Sequence, residues 1–152
     1  MRVPMRVDYG VRALVDLALN GNESEPVRSF DISRRTDIPQ AYLAHLLHSL
    51  RKSGFVSSTR GPSGGHLLGK KAEEIKLSDV MNCLDGTENL VKCFDDVGFC
   101  AHVPLCAQRE VWRDVESVVF SLLDSVSIDD LAKRTYKMQI NLRPQLSLGN
   151  VV

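Results

Sequence analysis

No stretch of these 152 residues is long and apolar enough to span a bilayer. The N-terminus also lacks the pattern of a secretory signal, because Arg12 and Asp16 interrupt its apolar run before any cleavage-like site. Both absences lead us to expect a cytoplasmic protein with no membrane partner, in a compartment where thiols stay reduced. There is no internal repeat and no low-complexity segment. No serine, carboxylate pair or nucleotide loop stands in a catalytic arrangement, and Glu73-Glu74 and Asp129-Asp130 read as solvated acids at helix ends; an enzyme is not expected. Net charge is also missing: Lys and Arg total 19, as do Asp and Glu. What is present is an ordinary globular composition, 43% hydrophobic and 25% charged, sized for one domain or one domain with an appended element.

The charge is unevenly placed. Residues 1–70 carry ten Lys and Arg against six Asp and Glu, whereas residues 71–152 carry nine against thirteen. A nucleic-acid surface is therefore expected in the first half, with the acidic half facing elsewhere.

Three of the four cysteines crowd into one loop, Cys93-Phe-Asp-Asp-Val-Gly-Phe-Cys100-Ala-His-Val-Pro-Leu-Cys106. Gly98 and Pro104 keep that loop from being one regular element. In a reducing compartment such spacing argues against a structural disulfide and for metal or redox chemistry. Three thiolates on one loop suit an iron–sulfur cluster, zinc or copper(I). The fourth, Cys83, reads as an inert buried thiol.

Val7, Val11, Leu14, Val15, Ala18 and Leu19 repeat at helical spacing and predict a helix over about 8–20, closed by Asn20-Gly21. Asp8 stands at its start, where the local reading is an N-cap or a dipole partner. After a polar loop, a short helix from Ser29 to about Thr36 leads through Asp37-Ile38-Pro39 into a second helix, with Pro39 in its first turn, ending at Ser53-Gly54. Leu43, Leu46, Leu47 and Leu50 form its buried stripe; Ala41, His45, His48 and Lys52, flanked by Gln40 and Ala44, form the opposite face. The pair fits a helix-turn-helix, or equally any helical hairpin with a solvated face.

The next segment favours the first reading. Phe55-Val-Ser-Ser-Thr59 alternates like a strand, Arg60-Gly-Pro-Ser-Gly-Gly65 turns, and His66-Leu67-Leu68 returns. A glycine-rich hairpin with Arg60 at its shoulder, straight after a helix-turn-helix, is a wing suited to a minor groove. A phosphate-binding loop is excluded by the spacing, the missing lysine and the missing helix. A short helix is expected over Ile75–Leu84. A long helix follows the cysteines, in which Trp112, Val115, Val119, Leu122 and Val126 make a seam for a core and a partner helix. Ser127-Ile-Asp-Asp130 opens a last helix to about Met138, and residues 139–152, with Pro144 and Gly149, read as a frayed tail.

The expected fold is mainly α with a small β-hairpin wing: a winged helix-turn-helix over 1–84, a cysteine loop over 85–107, a dimerisation helix and a short helix over 108–138, then the tail. These pieces together resemble the Rrf-two family of bacterial winged-helix regulators. The resemblance covers about 1–138 and rests on Asp8-Tyr9-Gly-Val-Arg-Ala-Leu, Tyr42-Leu43, Leu50-Arg51-Lys52-Ser-Gly54-Phe-Val, Arg60-Gly-Pro-Ser-Gly-Gly65, and the three cysteines followed by Trp112-Arg113-Asp114. It implies a homodimeric transcription factor in which Cys93, Cys100 and Cys106 hold an iron–sulfur cluster, four-iron four-sulfur ahead of two-iron two-sulfur.

In the branch similar to IscR, a histidine three residues after the last cysteine is the fourth ligand; Arg109 stands there in this chain. In the branch similar to NsrR, the fourth ligand is an aspartate near the start of the first helix of the other subunit, which Asp8 matches. His102 is the runner-up ligand. DNA contacts are expected from Gln40, Tyr42, His45, His48 and Arg51 at the major groove and from Arg60, Ser63 and Gly64 in the wing. The signal expected is nitric oxide, iron or redox state. Rival readings are a zinc-bound or thiol-redox transcription factor, and an iron–sulfur carrier that does not bind DNA.

Overall fold

The computed structural model describes residues 3–22, 25–86, 91–94 and 96–146. Its central element is α1 (Met5–Asn20). The apolar repeat of α1 turns Val7, Ala13, Leu14 and Leu17 inward, and other helices close over it. These are α2 (Ser29–Thr36), α3 (Gln40–Lys52), α4 (Leu77–Asp85) and α6 (Ile128–Leu146). Leu14, Leu43 and Leu50 are fully buried, each burial being worth about 1.5–3 kcal/mol. Gly10 lets α4 come close: a Cβ there would stand 2.2 Å from Cδ1 of Leu84.

The helix starts about a turn earlier than predicted. Pro4 occupies the N-cap position without any side-chain hydrogen bond, and its carbonyl accepts from the N–H groups of Val7 and Asp8 at 3.0 and 3.1 Å. Asp8 is therefore no N-cap. It sits in the first turn, where a carboxylate still faces the positive end of the helix dipole.

The helix-turn-helix forms as expected. Asp37 takes a left-handed conformation, φ 56°, at the end of α2. The Ser33 hydroxyl donates to the Ile38 carbonyl at 2.6 Å, and Pro39 is the N-cap of α3 rather than part of its first turn. Leu43, Leu46, Leu47 and Leu50 are the buried residues of α3. The helix ends with Gly54 N–H donating to the Arg51 carbonyl and Phe55 N–H to the Leu50 carbonyl.

The wing consists of antiparallel β1 (Val56–Thr59) and β2 (Gly65–Leu68), paired from Val56–Leu68 to Thr59–Gly65. Phe55, expected in the strand, instead tucks into the core before it. The segment before α2 also bonds to the hairpin. Val27 and His66 exchange backbone hydrogen bonds of 2.9 and 2.8 Å, and this approach needs Gly65, whose Cβ would lie 2.6 Å from the Val27 carbonyl oxygen.

Beyond the wing, Ala72–Glu74 makes a 3-10 turn and α4 begins only at Leu77. The predicted start at Ile75 fails because the backbone there is used otherwise. The Ile75 carbonyl accepts from Ile128 N–H at 2.9 Å, and Leu77 N–H donates to the Val126 carbonyl at 3.0 Å, tying this segment to the junction between α5 (Ala107–Ser125) and α6. At that junction Ser127 and Asp130 cap reciprocally. The Asp130 carboxylate accepts from the Ser127 N–H and hydroxyl at 3.0 and 2.7 Å, while Asp130 N–H donates to the Ser127 hydroxyl at 3.1 Å.

α6 runs to Leu146, past the predicted end at Met138. The expected tail is thus helical over 139–146, and residues 147–152, with Gly149, lie outside the described residues. A helix already nucleated and docked against α1 extends at one hydrogen bond per residue, and Pro144 comes only in its last turn.

Candidate DNA interface and cysteine loop

Gln40, Tyr42, His45, His48 and Arg51 of α3 are all exposed, with His45 and His48 opposite the leucines and Tyr42 and Arg51 on the two flanks of that stripe. The wing adds exposed Arg60 and Ser63, with Gly64 half-buried. One hydrogen bond joins the two parts, and two more tie the wing to the segment that opens α2. Arg51 Nη1 donates to the Ser58 hydroxyl at 3.3 Å, Arg28 Nη2 to the Pro62 carbonyl at 3.1 Å, and the Ser29 hydroxyl meets His66 Nε2 at 2.9 Å. Arg28 and Ser29 escaped the sequence reading because they stand in a loop and at a helix start, with no periodic signal. His66 Nδ1 is buried without a partner. Burial first, and then the positive charge of Arg51, hold the His66 pKa below its ordinary value.

α2 is fixed to α1 by an ion pair. Arg35 Nε and Nη2 donate to Asp16 Oδ1 and Oδ2 at 2.7 and 2.8 Å, and Asn20 Nδ2 donates to Oδ1 at 3.1 Å. The hydrogen bond to Asp16 is the main cause of the raised Arg35 pKa.

The cysteine loop is a chain of 3-10 turns. Cys93 lies in the turn Lys92–Phe94, Cys100 ends the turn Val97–Phe99, and Cys106 ends the turn Val103–Leu105 while serving as N-cap of α5. All three thiols are free and half-buried, as is Cys83, which the sequence reading had placed in the interior. Cys83 Sγ lies 3.0 Å from the Ser53 hydroxyl. The loop is braced from α5: Arg109 Nη2 donates to the Cys93 carbonyl at 3.3 Å, and the Arg109 and Arg113 guanidinium groups stand 5.3 and 5.6 Å from the Phe94 ring centroid. Asp95, within the loop, lies outside the described residues.

Among the described residues, no three His, Cys, Asp or Glu side chains stand together in a group that could hold a metal ion. The donor chemistry nevertheless suits a soft metal, three sulfurs on irregular backbone. Arg109 also supplies a buried Nε–H without a partner, a donor that a sulfur ligand or sulfide could engage. Cys106 and Arg109 line one cleft of about 420 Å³. Asp8 lines a different cleft, of about 730 Å³, between α1 and α6, and its carboxylate pairs with Arg12 at 2.7 Å. His102 is exposed at the start of the third turn.

α5 has no buried residue in the single chain. Val111, Val115, Val118 and Leu122, which share one face of the helix, are 58%, 36%, 69% and 64% exposed, a row that water alone would leave unstabilised. No helix among the described residues is long and apolar enough to cross a membrane.

A family model described as Rrf2, iron-dependent transcriptional regulator, matches residues 3–134. The HTH-type transcriptional regulator IscR of Xenorhabdus nematophila is 38% identical over 133 residues, 88% of this chain and 80% of the relative. Among solved structures, CymR, the global cysteine regulator of B. subtilis, aligns with a TM-score of 0.75 at 28% identity, covering 88% of this chain and 98% of the other. IscR of T. potens aligns with a TM-score of 0.74 at 29% identity, covering 91% of each. With a winged helix-turn-helix and these relatives, the chain belongs to the Rrf2 family of DNA-binding transcriptional regulators.

Proposed function

We propose that this regulator acts as a homodimer that senses nitric oxide, iron or redox state in the cytoplasm through an iron–sulfur cluster. Cys93, Cys100 and Cys106 would hold the cluster, with Asp8 of a second copy as the fourth ligand. The observation that carries the reading is the position of Cys106: the residue that ends the thiol loop is also the N-cap of α5, the helix whose apolar side lies open in one chain. Sensor and dimer helix thereby share backbone. Bound there, the cluster supplies a reactive iron centre. Everything else is done by the polypeptide.

Asp8 and Cys106 line separate clefts within one chain, which supports a contribution of Asp8 across a two-fold axis. Gln40, Tyr42, His45, His48 and Arg51 read base edges, while Arg60, Ser63 and Gly64 enter the minor groove. A dimer fixes the half-site spacing, so a small rotation of one protomer against the other changes affinity.

The test is protein purified without air, analysed for iron and acid-labile sulfide and by visible absorption. The expected result is coloured protein with iron and sulfide in equal amounts, lost in Cys93→Ser, Cys100→Ser and Cys106→Ser and altered in Asp8→Ala. Colourless protein without iron would overturn the reading; zinc in its place, lost in His102→Ala, would favour a zinc-bound regulator.

A further inference from the structure

Three hydrogen bonds fasten His66, in the second strand of the wing, to the segment that enters α2. Val27 N–H donates to the His66 carbonyl at 2.9 Å, and His66 N–H to the Val27 carbonyl at 2.8 Å. The third bond joins His66 Nε2 to the Ser29 hydroxyl at 2.9 Å. The other ring nitrogen, Nδ1, is buried without a partner. A buried N–H without an acceptor is rarer in folded proteins than a bare acceptor. The neutral ring therefore keeps its proton on Nε2 and donates it to Ser29. The charged neighbours give an imidazolium no help. Arg51 of α3 acts on the ring, and its charge is positive. Arg28 donates to the Pro62 carbonyl, Glu25 accepts from Asn22, and Asp16 of α1 is held by Arg35. Across the hairpin the residue opposite is Ser58, which carries no charge.

We infer that His66 is a positioning residue for DNA binding: neutral, it holds the wing against the start of α2, and protonated, it lets go, so that affinity for DNA falls in acid. The inference rests on the wing contacting DNA and is independent of the cysteine loop. Protonation places a second N–H at Nδ1, where nothing accepts it, and a positive charge near Arg51. The imidazolium is better solvated outside its pocket. Once the ring turns out, Ser29 loses its partner, and the wing keeps the backbone bonds at Val27 and the one from Arg28. Arg60 and Ser63 at the tip are then less firmly aimed. Burial and Arg51 hold the His66 pKa below its ordinary value, which confines the release to pH below about 6.5. His45 and His48 on α3 also gain charge in acid, and theirs favours DNA. The two effects have opposite signs, so they separate when His66 alone is changed.

The test uses full-length protein prepared without air and a duplex selected by the wild type from a random pool. Affinity is measured at fixed salt between pH 7.5 and about 5, with Tm as the measure of folding. At pH 7.5, His66→Leu and Ser29→Ala should each weaken binding about fivefold, the worth of one hydrogen bond. His66→Gln, whose amide can donate to Ser29 but takes up no proton, should recover most of that affinity. Below pH 6.5 the wild type should lose about fivefold relative to His66→Gln. If His66→Leu does not fold, Ser29→Ala cuts the same bond from the other side. Wild-type affinity in Ser29→Ala, or a wild type that follows His66→Gln at every pH, overturns the inference. Arg60→Ala, measured alone, reports separately on whether the wing meets DNA. In its background Ser29→Ala should cost less than about twofold; an undiminished cost there means that the bond does not act through the wing, and also overturns the inference.

Discussion

Asp16 is buried on α1 with its two oxygens taken by Arg35 and a further bond from Asn20. Removing one partner of such a pair strands the other, a larger effect than the net worth of the pair. Arg35 is one-third exposed, so its guanidinium can partly rehydrate. Asp16→Ala is therefore expected to cost about 2 kcal/mol, measured by urea unfolding; the loosening should fall on α2. His66 gives a pH dependence. Its folded pKa lies below the unfolded value of about 6.5, so the native state binds fewer protons than the unfolded chain. Stability is then complete above pH 6.5 and declines as pH falls below it towards the folded value. His66→Gln should flatten that decline in a series of thermal melts between pH 7.5 and about 5.

At the scale of elements, Gly10 sets how closely α1 and α4 pack. Alanine would gain about 1 kcal/mol from helix propensity, but its Cβ would overlap Leu84 and cost about 1–3 kcal/mol. Overpacking wins: Gly10→Ala is expected to lower stability by about 1 kcal/mol, and the double variant with Leu84→Ala should lose less than the sum. The same scale shows what could be read beforehand. The leucines of α3, the break at Asp37-Ile38-Pro39 and the glycine-rich turn carry local signals, so the helix-turn-helix and the wing were legible. The Ser127–Asp130 cap was too, because its logic spans three residues. The true start of α4 and the bonds from Val27 to the wing were not, because each depends on a backbone partner distant in sequence. The edge-on contact of the Tyr9 and Tyr42 rings, with centroids 5.7 Å apart, was hidden for the same reason, although both residues stood in motifs that drew attention. In the cysteine loop, the sulfur spacing was plain, while its division into 3-10 turns and its bracing by Arg109 had no periodic mark.

For the whole molecule, the open side of α5 is decisive. Val111, Val115, Val118 and Leu122 form an exposed row along α5 that is costly in water, and the proposed homodimer would cover it. Leu122→Glu combined with Val118→Glu should give a monomer by sedimentation equilibrium. The core residues around α1 do not depend on that contact, so the helical circular dichroism should persist.

The most direct measurement compares two preparations of one protein, purified without air and then stripped by a chelator, for affinity to the same selected duplex at fixed salt. If the cysteine trio governs DNA binding, their affinities should differ about tenfold or more, and the triple serine variant should match the stripped sample. Equal affinity in all three would contradict the account.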